Sequence, residues 1–248
     1  ARRLAAPHRE RTQTGAITLR ISESGSHVDI DVLDATLGRV TRWQAQRAIV
    51  ATPLFIAARL IADPPDALRE AAEAIRHSPW LVANLHITAP LDAAHDQPPM
   101  SWDNVIYGGS GSNTGLGYVN AMNQSLRSHD GATVLTCYRA FGDDAQAGRK
   151  ALLSRSWQEW TEVLIAELGP AHPDLRAKLG EIRIARYGHA MAIPSPGIRS
   201  SAWLAALAEP QGRIAFAHAD LSAHSVFEEA FDRGLRAGIS TPRALRQA

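Results

Sequence analysis

Two stretches near the start of the chain alternate apolar and polar residues with a period of two, and this limits the folds available. From Ala16 to Ile21, Ile17, Leu19 and Ile21 alternate with Thr18 and Arg20; from His27 to Leu33, Val28, Ile30 and Val32 alternate with Asp29 and Asp31. Successive side chains of a strand point to opposite faces, so each stretch predicts a strand with one buried face. Ser22 to Ser26, with Gly25, is the predicted hairpin loop. A third strand is predicted over Arg39–Trp43 and a fourth over Arg47–Ala51, where Ala48, Ile49 and Val50 adjoin as in a strand buried on both faces. Thr52-Pro53 stops it. Leu54–Ile61 and Asp66–Ile75 then predict two helices separated by Pro64 and Pro65.

The remainder continues the mixture. Strands are predicted at Trp80–Thr88, Asn104–Tyr107, Leu116–Met122, Thr133–Tyr138 and Ile182–Tyr187. Helices are predicted at Asp143–Leu153, Trp157–Leu168 and Ser200–Leu207, the second with an apolar stripe at Trp157, Trp160, Leu164 and Leu168. The fold class is therefore mixed α/β. With 248 residues, 45% hydrophobic and 21% charged, the chain can build a real core, and disorder is excluded. Lys and Arg number 26 against 25 Asp and Glu, so the net charge of +1 gives no electrostatic reason to expect nucleic acid or an anionic membrane as partner. No apolar run approaches the roughly 20 residues that span a bilayer, and the start of the given sequence shows no apolar leader. Cys137 is the only cysteine, which excludes an intrachain disulfide and a zinc site built on several thiolates. A cytoplasmic location fits, and a periplasmic one is compatible.

The last fifty residues are the most organised. Ile214–Ala217 predicts a strand, Ala219–Ser222 a turn, and Ser225–Ala237 a helix whose Val226, Phe227, Ala230, Phe231 and Leu235 share a face. Ser225 with Glu228 is a capping-box pattern. A strand, a short polar loop and a helix N-terminus favour an electron-rich ligand atom, although such a cap also serves structure alone. Other motifs fail. Gly108 to Gly115 lacks the spacing of GxGxxG, the Gly-Lys of a P-loop and the last glycine of GxSxG. His218 and His224, which flank Asp220, match no metal-ligand spacing.

Three segments carry a resemblance that covers most of the chain. Ala48-Ile49-Val50-Ala51-Thr52-Pro53 resembles the strand that ends the cofactor-domain meander of the flavin amine oxidase superfamily, which includes monoamine and polyamine oxidases and phytoene-desaturase-like enzymes. Gly212 to Asp220, followed by Ser225 to Ala230 and Gly234 to Ala237, resembles its C-terminal flavin motif. Between them, Tyr187-Gly188-His189-Ala190-Met191 through Pro194 and Pro196-Gly197 resembles the segment returning from the substrate domain. His218, Ser225 and Glu229 depart from the pattern, standing where many members have glycine.

The resemblance implies part of an FAD-binding domain in residues 1–52, a substrate-binding domain in 53–197, and a return to the FAD-binding domain in 198–248. It implies FAD as cofactor, held by His218, Asp220, Ser225, Val226 and Phe227, with the helix start offering N–H groups to the flavin pyrimidine edge. Tyr187 and His189 are then the candidate catalytic residues lining a pocket for a small-molecule amine. The superfamily holds the ADP half of FAD with an N-terminal GxGxxG segment, which this sequence lacks. The expectation is a fragment, or a subunit whose partner polypeptide supplies that segment. Several such oxidases place a lysine on a strand matching Trp80–Thr88. Here that strand carries Asn84 and His86 and no lysine, so the resemblance implies either an FAD-dependent amine oxidase or an amine dehydrogenase with an acceptor other than oxygen. The alternatives are a redox-inactive binding or scaffold protein on the same fold, and a desaturase-type flavoenzyme acting on a non-amine substrate.

Overall fold

The computed structural model describes residues 2–92, 101–106, 115–125 and 131–245. The described chain divides into two units, residues 1–76 with 192–248 and residues 77–191.

The first unit begins with a short helix α1 (Arg2–Ala5) and the predicted meander: β1 (Ala16–Ser24), β2 (His27–Asp34) and β3 (Arg39–Ala45). These pair antiparallel in the order β1-β2-β3, with Ile21 opposite Ile30 and Ile30 opposite Trp43. Ile21 and Val28 are buried beneath one face, as their alternation requires. The fourth strand, β4 (Ala48–Val50), leaves this sheet, and helices α2 (Leu54–Leu60) and α3 (Asp66–Ala74) follow it. Pro53 precedes the first residue of α2 and Pro65 that of α3. Proline's fixed φ suits a helix start, where a missing N–H costs nothing.

The second unit is a five-stranded sheet backed by helices. Its strands are β5 (His77–Ile87), β6 (Asp103–Asn104), β7 (Gly115–Asn120), β8 (Thr133–Ala140) and β9 (Leu179–Ala192), in the order β6-β7-β8-β5-β9. Chain neighbours are not all sheet neighbours, because β5 pairs with β8 antiparallel, Ala83 opposite Cys137. Thr88 N–H donates to Lys178 O at one end of β5 while the His77 ring meets His189 at the other, so β9 also runs antiparallel to β5. Gly117, at φ +87°, lets β7 meet β6 closely: a Cβ there would lie 1.8 Å from Asn104 O. The glycine stretch 108–114 and residues 93–100 lie outside the described residues.

Helices α4 (Ala145–Ser154), α5 (Trp157–Leu168) and α6 (Leu175–Lys178) supply the rest of this unit's core. Leu81, Leu85, Leu135 and Cys137 from the sheet pack with Trp160, Leu164 and Leu168 of α5. Trp157, assigned by pattern to the same stripe, is half exposed and donates its indole N–H to Ile182 O. A capping box starts α5: the Ser156 hydroxyl accepts from Glu159 N–H, and Glu159 accepts from Ser156 N–H. Burial pushes the Cys137 thiol up to about 12, which fits a packed apolar residue better than a nucleophile.

The chain then returns to the first unit through α7 (Ala202–Leu207), β10 (Ile214–Phe216) and α8 (Phe227–Leu245). β10 lies parallel to β4, Ile214 opposite Ala48 and Phe216 opposite Val50. The unit's core joins Ile21, Val28, Val50, Leu54, Leu68, Leu204, Leu207 and Phe216, so its first 76 residues and last 57 share one apolar interior.

One buried polar pair in the second unit gives a testable consequence. Tyr118 Oη and His172 Nε2 lie 2.6 Å apart, and burial holds the His172 ring below its ordinary pKa. A histidine kept neutral by folding binds its proton more readily once unfolded, so its contribution is lost as pH falls below about 6.5. His172→Gln, which keeps an oxygen for the tyrosine hydroxyl, is expected to flatten the fall in melting temperature between about pH 7.5 and about 5.5. An unchanged pH dependence would remove His172 from this account.

Candidate functional site

The parallel pair is where the sequence and the fold bring chemistry together. Ala48 N–H donates to Arg213 O, and Ala217 N–H donates to Val50 O. Beyond Val50, β4 leads through Thr52-Pro53 into α2; beyond Phe216, β10 leads through His218 and a turn at Ala219–Ser222 towards α8. Both strands therefore point their carboxyl ends at loops that open helices, the usual ligand-facing end of an open parallel sheet.

Asp220 is fully buried at this junction. Its Oδ2 accepts from Leu54 N–H at 2.9 Å, and the two residues are 166 apart in sequence. Leu54 opens α2, and Pro53 before it offers no side-chain cap. Asp220 thus caps α2 from the far end of the chain, placing a carboxylate at the positive end of the helix. His218 Nδ1 accepts from Asp220 N–H at 3.1 Å and stands 3.3 Å from Asp220 Oδ1. Ala223 closes the turn at φ +50°.

The five residues proposed from sequence to hold a cofactor lie in this one strand, turn and helix start. Ser225 does not open the helix: α8 begins at Phe227, and the Ser225 hydroxyl accepts from Ala192 N–H at 2.8 Å. Val226 N–H returns to His224 O. The Ser222 hydroxyl donates to Glu229, and Arg233 Nε donates to Ser222 Oγ at 3.3 Å, a cluster that no sequence pattern announced. Seryl, acidic and arginine positions spaced 222, 229 and 233 become neighbours only once the turn has folded back.

Helix α8 turns its apolar stripe outward. Ala237 is buried and Glu229, Arg233 and Ser240 are half-buried, whereas Phe227, Phe231, Leu235 and Ile239 face outward at 61%, 51%, 52% and 49% exposure. The outward residues recur every fourth position and form one stripe, with the Phe227 and Phe231 rings stacked at 6.0 Å. Exposed stripes of this size mark surfaces that meet another body.

Tyr187 and His189 lie on β9 in the second unit. Ile182 and Ile184 of that strand pack into the helix-covered core, and Arg186 donates to Leu152 O of α4. By alternation Tyr187 belongs to the opposite face, which no helix of the unit covers among the described residues; the His189 ring instead meets that of the buried His77 at 6.4 Å. Tyr187 is 51% exposed. The same open face carries Trp80, Val82, Asn84 and His86 of β5 and Thr136 and Tyr138 of β8. Trp80 and Tyr138 meet edge to face at 6.3 Å, and Thr136 Oγ1 donates to Asn84 Oδ1 at 2.8 Å. Sequence reasoning passed over Trp80 and Tyr138. Period-two alternation could have assigned each to a face, but only the register, Val82 opposite Tyr138, shows that they meet. At the end of this face His86, Met122 and Val134 line a cleft of about 430 Å³.

The fold is that of the flavin amine oxidases. Cyclohexylamine oxidase from Brevibacterium oxydans IH-35A aligns with a TM-score of 0.72 at 13% identity, covering 98% of this chain and 52% of that one. A triple mutant of putrescine oxidase with redesigned cofactor binding aligns at 0.65 and 13% identity, over 99% of this chain and 52% of that one. Putrescine oxidase bound to putrescine aligns at 0.63 and 14% identity, over 96% and 51%. The chain thus spans about half the length of the solved structures it matches. No family model and no curated protein sequence matches it.

The Asp220 contact sets a measurable cost. Asp220→Ala leaves Leu54 N–H without its partner and is expected to lower the free energy of unfolding by about 1–3 kcal/mol, with Asp220→Asn costing less because an amide oxygen still accepts. Denaturant titration of the two variants tests this; equal stability of Asp220→Ala and the parent would contradict it.

Proposed function

We propose that this chain is the substrate-binding and C-terminal flavin-facing portion of an FAD-dependent enzyme that oxidises an amine. The observation that carries the reading is the parallel β4–β10 pair, in which the carboxyl end of β10 opens into the His218–Val226 segment beside that of β4, within a fold shared with flavin amine oxidases. When bound, FAD would supply the hydride acceptor at its N5, and the amine would leave as an imine.

The residues present fit such a group. The first-turn N–H groups of α8, at Phe227, Glu228 and Glu229, have no partner within the helix and suit the electron-rich pyrimidine edge. The Ser222 hydroxyl draws Glu229 aside, leaving Glu228 as the first-turn acid not engaged by that cluster. Asp220, fully buried, acts from behind, fixing the loop through Leu54. Ser225 anchors the same loop to Ala192. In the second unit Tyr187, with Trp80, Tyr138 and the Asn84–Thr136 pair, provides an aromatic face with a few hydrogen-bonding groups, suited to an uncharged amine held against apolar rings, and His189 stands at its edge against His77. Asn84 supplies no ammonium group, which supports an electron acceptor other than oxygen.

A partner strand completes the reading. In a parallel ladder alternate residues turn their N–H and C=O groups to opposite sides. The bonds made by Ala48 and Val50 therefore leave Ile49 facing away from β10, and its side chain is 42% exposed. Two strands of three residues make a marginal sheet by themselves. A segment with a strand and a GxGxxG turn, laid along β4, would pair this edge and cradle the pyrophosphate.

The chain alone is expected to show no sub-micromolar FAD binding, and co-expression with such a segment is expected to give one flavin per complex by absorbance. Tight binding by the chain alone would overturn the division of labour. In the assembled enzyme Tyr187→Leu is expected to lower kcat/KM for amine by about tenfold or more with flavin content unchanged, a loss of about 1.4 kcal/mol in transition-state stabilisation. Unchanged turnover would take Tyr187 out of the substrate face.

A further inference from the structure

We infer that α8 and Ile49 together seat an amphipathic helix contributed by the half of the fold that this chain does not span. The inference rests on the partner proposed above and adds where that partner lands. Side-chain alternation divides the β4–β10 pair into two faces. Val50, Ile214 and Phe216 point into the core with Leu54 and Leu207, whereas Ile49 and Ala215, opposite each other in the ladder, point to the other side. On that side α8 packs over β10, where Arg233 and Ala237 line a small cavity with Ala215. Ala215 is 7% exposed and Ile49 is 42% exposed. Among the described residues, then, one face of the pair is covered across both strands and the other only over β10.

The exposed side of α8 is shaped for a neighbour. Its outward ridge of Phe227, Phe231, Leu235 and Ile239 runs beside a second row at the same four-residue spacing, Ala230, Gly234 and Gly238, also exposed. Both glycines lie inside α8 with negative φ, and a Cβ added to either would meet nothing within 4 Å. Glycine weakens a helix interior, so two of them with no turn to make and no close contact among the described residues carry a cost without a use inside the chain. A row of large side chains beside a row that lacks them is a ridge beside a groove. The four-residue ridge of a second helix fits that groove.

Spacing selects the occupant. Packed helices lie about 8–10 Å apart and neighbouring strands about 4.8 Å, so a helix beside α8 sits two strand positions from β10, over the strand proposed to pair with β4. A helix that follows that strand and packs back on the sheet takes this place, with Ile49 beneath it. The chain spans 52% of the cyclohexylamine oxidase it matches, so the shared fold contains a second half able to supply such a helix. A second copy of this chain is the competing occupant. It would bring its own α8 but no strand for the edge of β4.

Leu235→Cys in the 248-residue chain provides one reactive thiol, because Cys137 is the only other cysteine and is buried. Its rate of labelling by a maleimide is compared in the chain alone and in the chain co-expressed, with FAD, beside the half of cyclohexylamine oxidase that this chain does not span. The chain alone is expected to label quickly at every concentration, and the flavin-containing complex at least about tenfold more slowly. Gly234→Leu combined with Gly238→Leu is expected to abolish that protection without lowering the melting temperature of the chain alone, since leucine favours a helix more than glycine does. Arg236→Leu, on the other flank of α8, is expected to leave the protection intact. Flavin bound while the introduced thiol labels at its free rate, or protection that survives both leucines, would overturn the docking and leave the flavin reading standing. Slow labelling of the chain alone that strengthens with concentration would assign the ridge to a second copy instead. Failure to obtain any flavin-containing complex would overturn the reading and the docking together.

Discussion

The hydrogen bond from Leu54 N–H to the buried carboxylate of Asp220 holds together what the rest of the first unit needs. It caps a helix whose own N-cap is proline, and it does so from a residue 166 positions later. With it, β10 can lie parallel to β4 and the two ends of the chain can share one core. A buried carboxylate without such partners would be costly, so the interaction both requires and enforces the closure. The loop that Asp220 fixes is the one that leads into α8, and every proposal about a cofactor rests on that loop being held still.

The second unit follows a different constraint. Its sheet buries one face under α4 and α5 through Leu81, Leu85, Leu135 and Trp160, and the alternation that puts those residues inside puts Trp80, Asn84, Thr136 and Tyr138 on the other side. The open face is therefore determined by the same register that builds the core. A one-residue slip of β5 against β8 would exchange the two sets. The first unit shows the converse: α8 turns Glu229, Arg233 and Ala237 inward and its phenylalanines outward, an arrangement that makes sense for a surface that another body covers.

Much of this was legible in the sequence where the pattern was local. The meander, the two proline-led helices, α5 and the strand before His218 all follow from periodicity and helix-start chemistry, and their observed limits fall within a few residues of expectation. What failed was what depends on distant partners. Ser225 carries the letters of a capping box, but its hydroxyl is engaged by Ala192, and the box in this protein is made by Ser156 and Glu159. Ile49 reads as doubly buried from its neighbours, yet its side chain is 42% exposed, because burial on both faces depends on layers packed from elsewhere that three letters of a strand do not specify. The apolar side of α8 could be drawn on a helical wheel, but its direction could not, because that depends on which polar residues find partners in the Ser222 turn. The pairing of Trp80 with Tyr138 needed the register, a property of two strands that neither contains alone.

The central claim is that the β4–β10 pair is the inner edge of a larger flavin-binding sheet. Amide hydrogen exchange at Ile49 tests it most directly, because the ladder leaves that amide facing away from β10 while Ala48 donates to Arg213 and Ala217 to Val50. In the chain alone Ile49 should exchange far faster than Ala48. On assembly with a strand-GxGxxG-helix segment and FAD, Ile49 should become as protected as its neighbour. Flavin bound in that assembly with the Ile49 amide still exchanging freely would contradict the account.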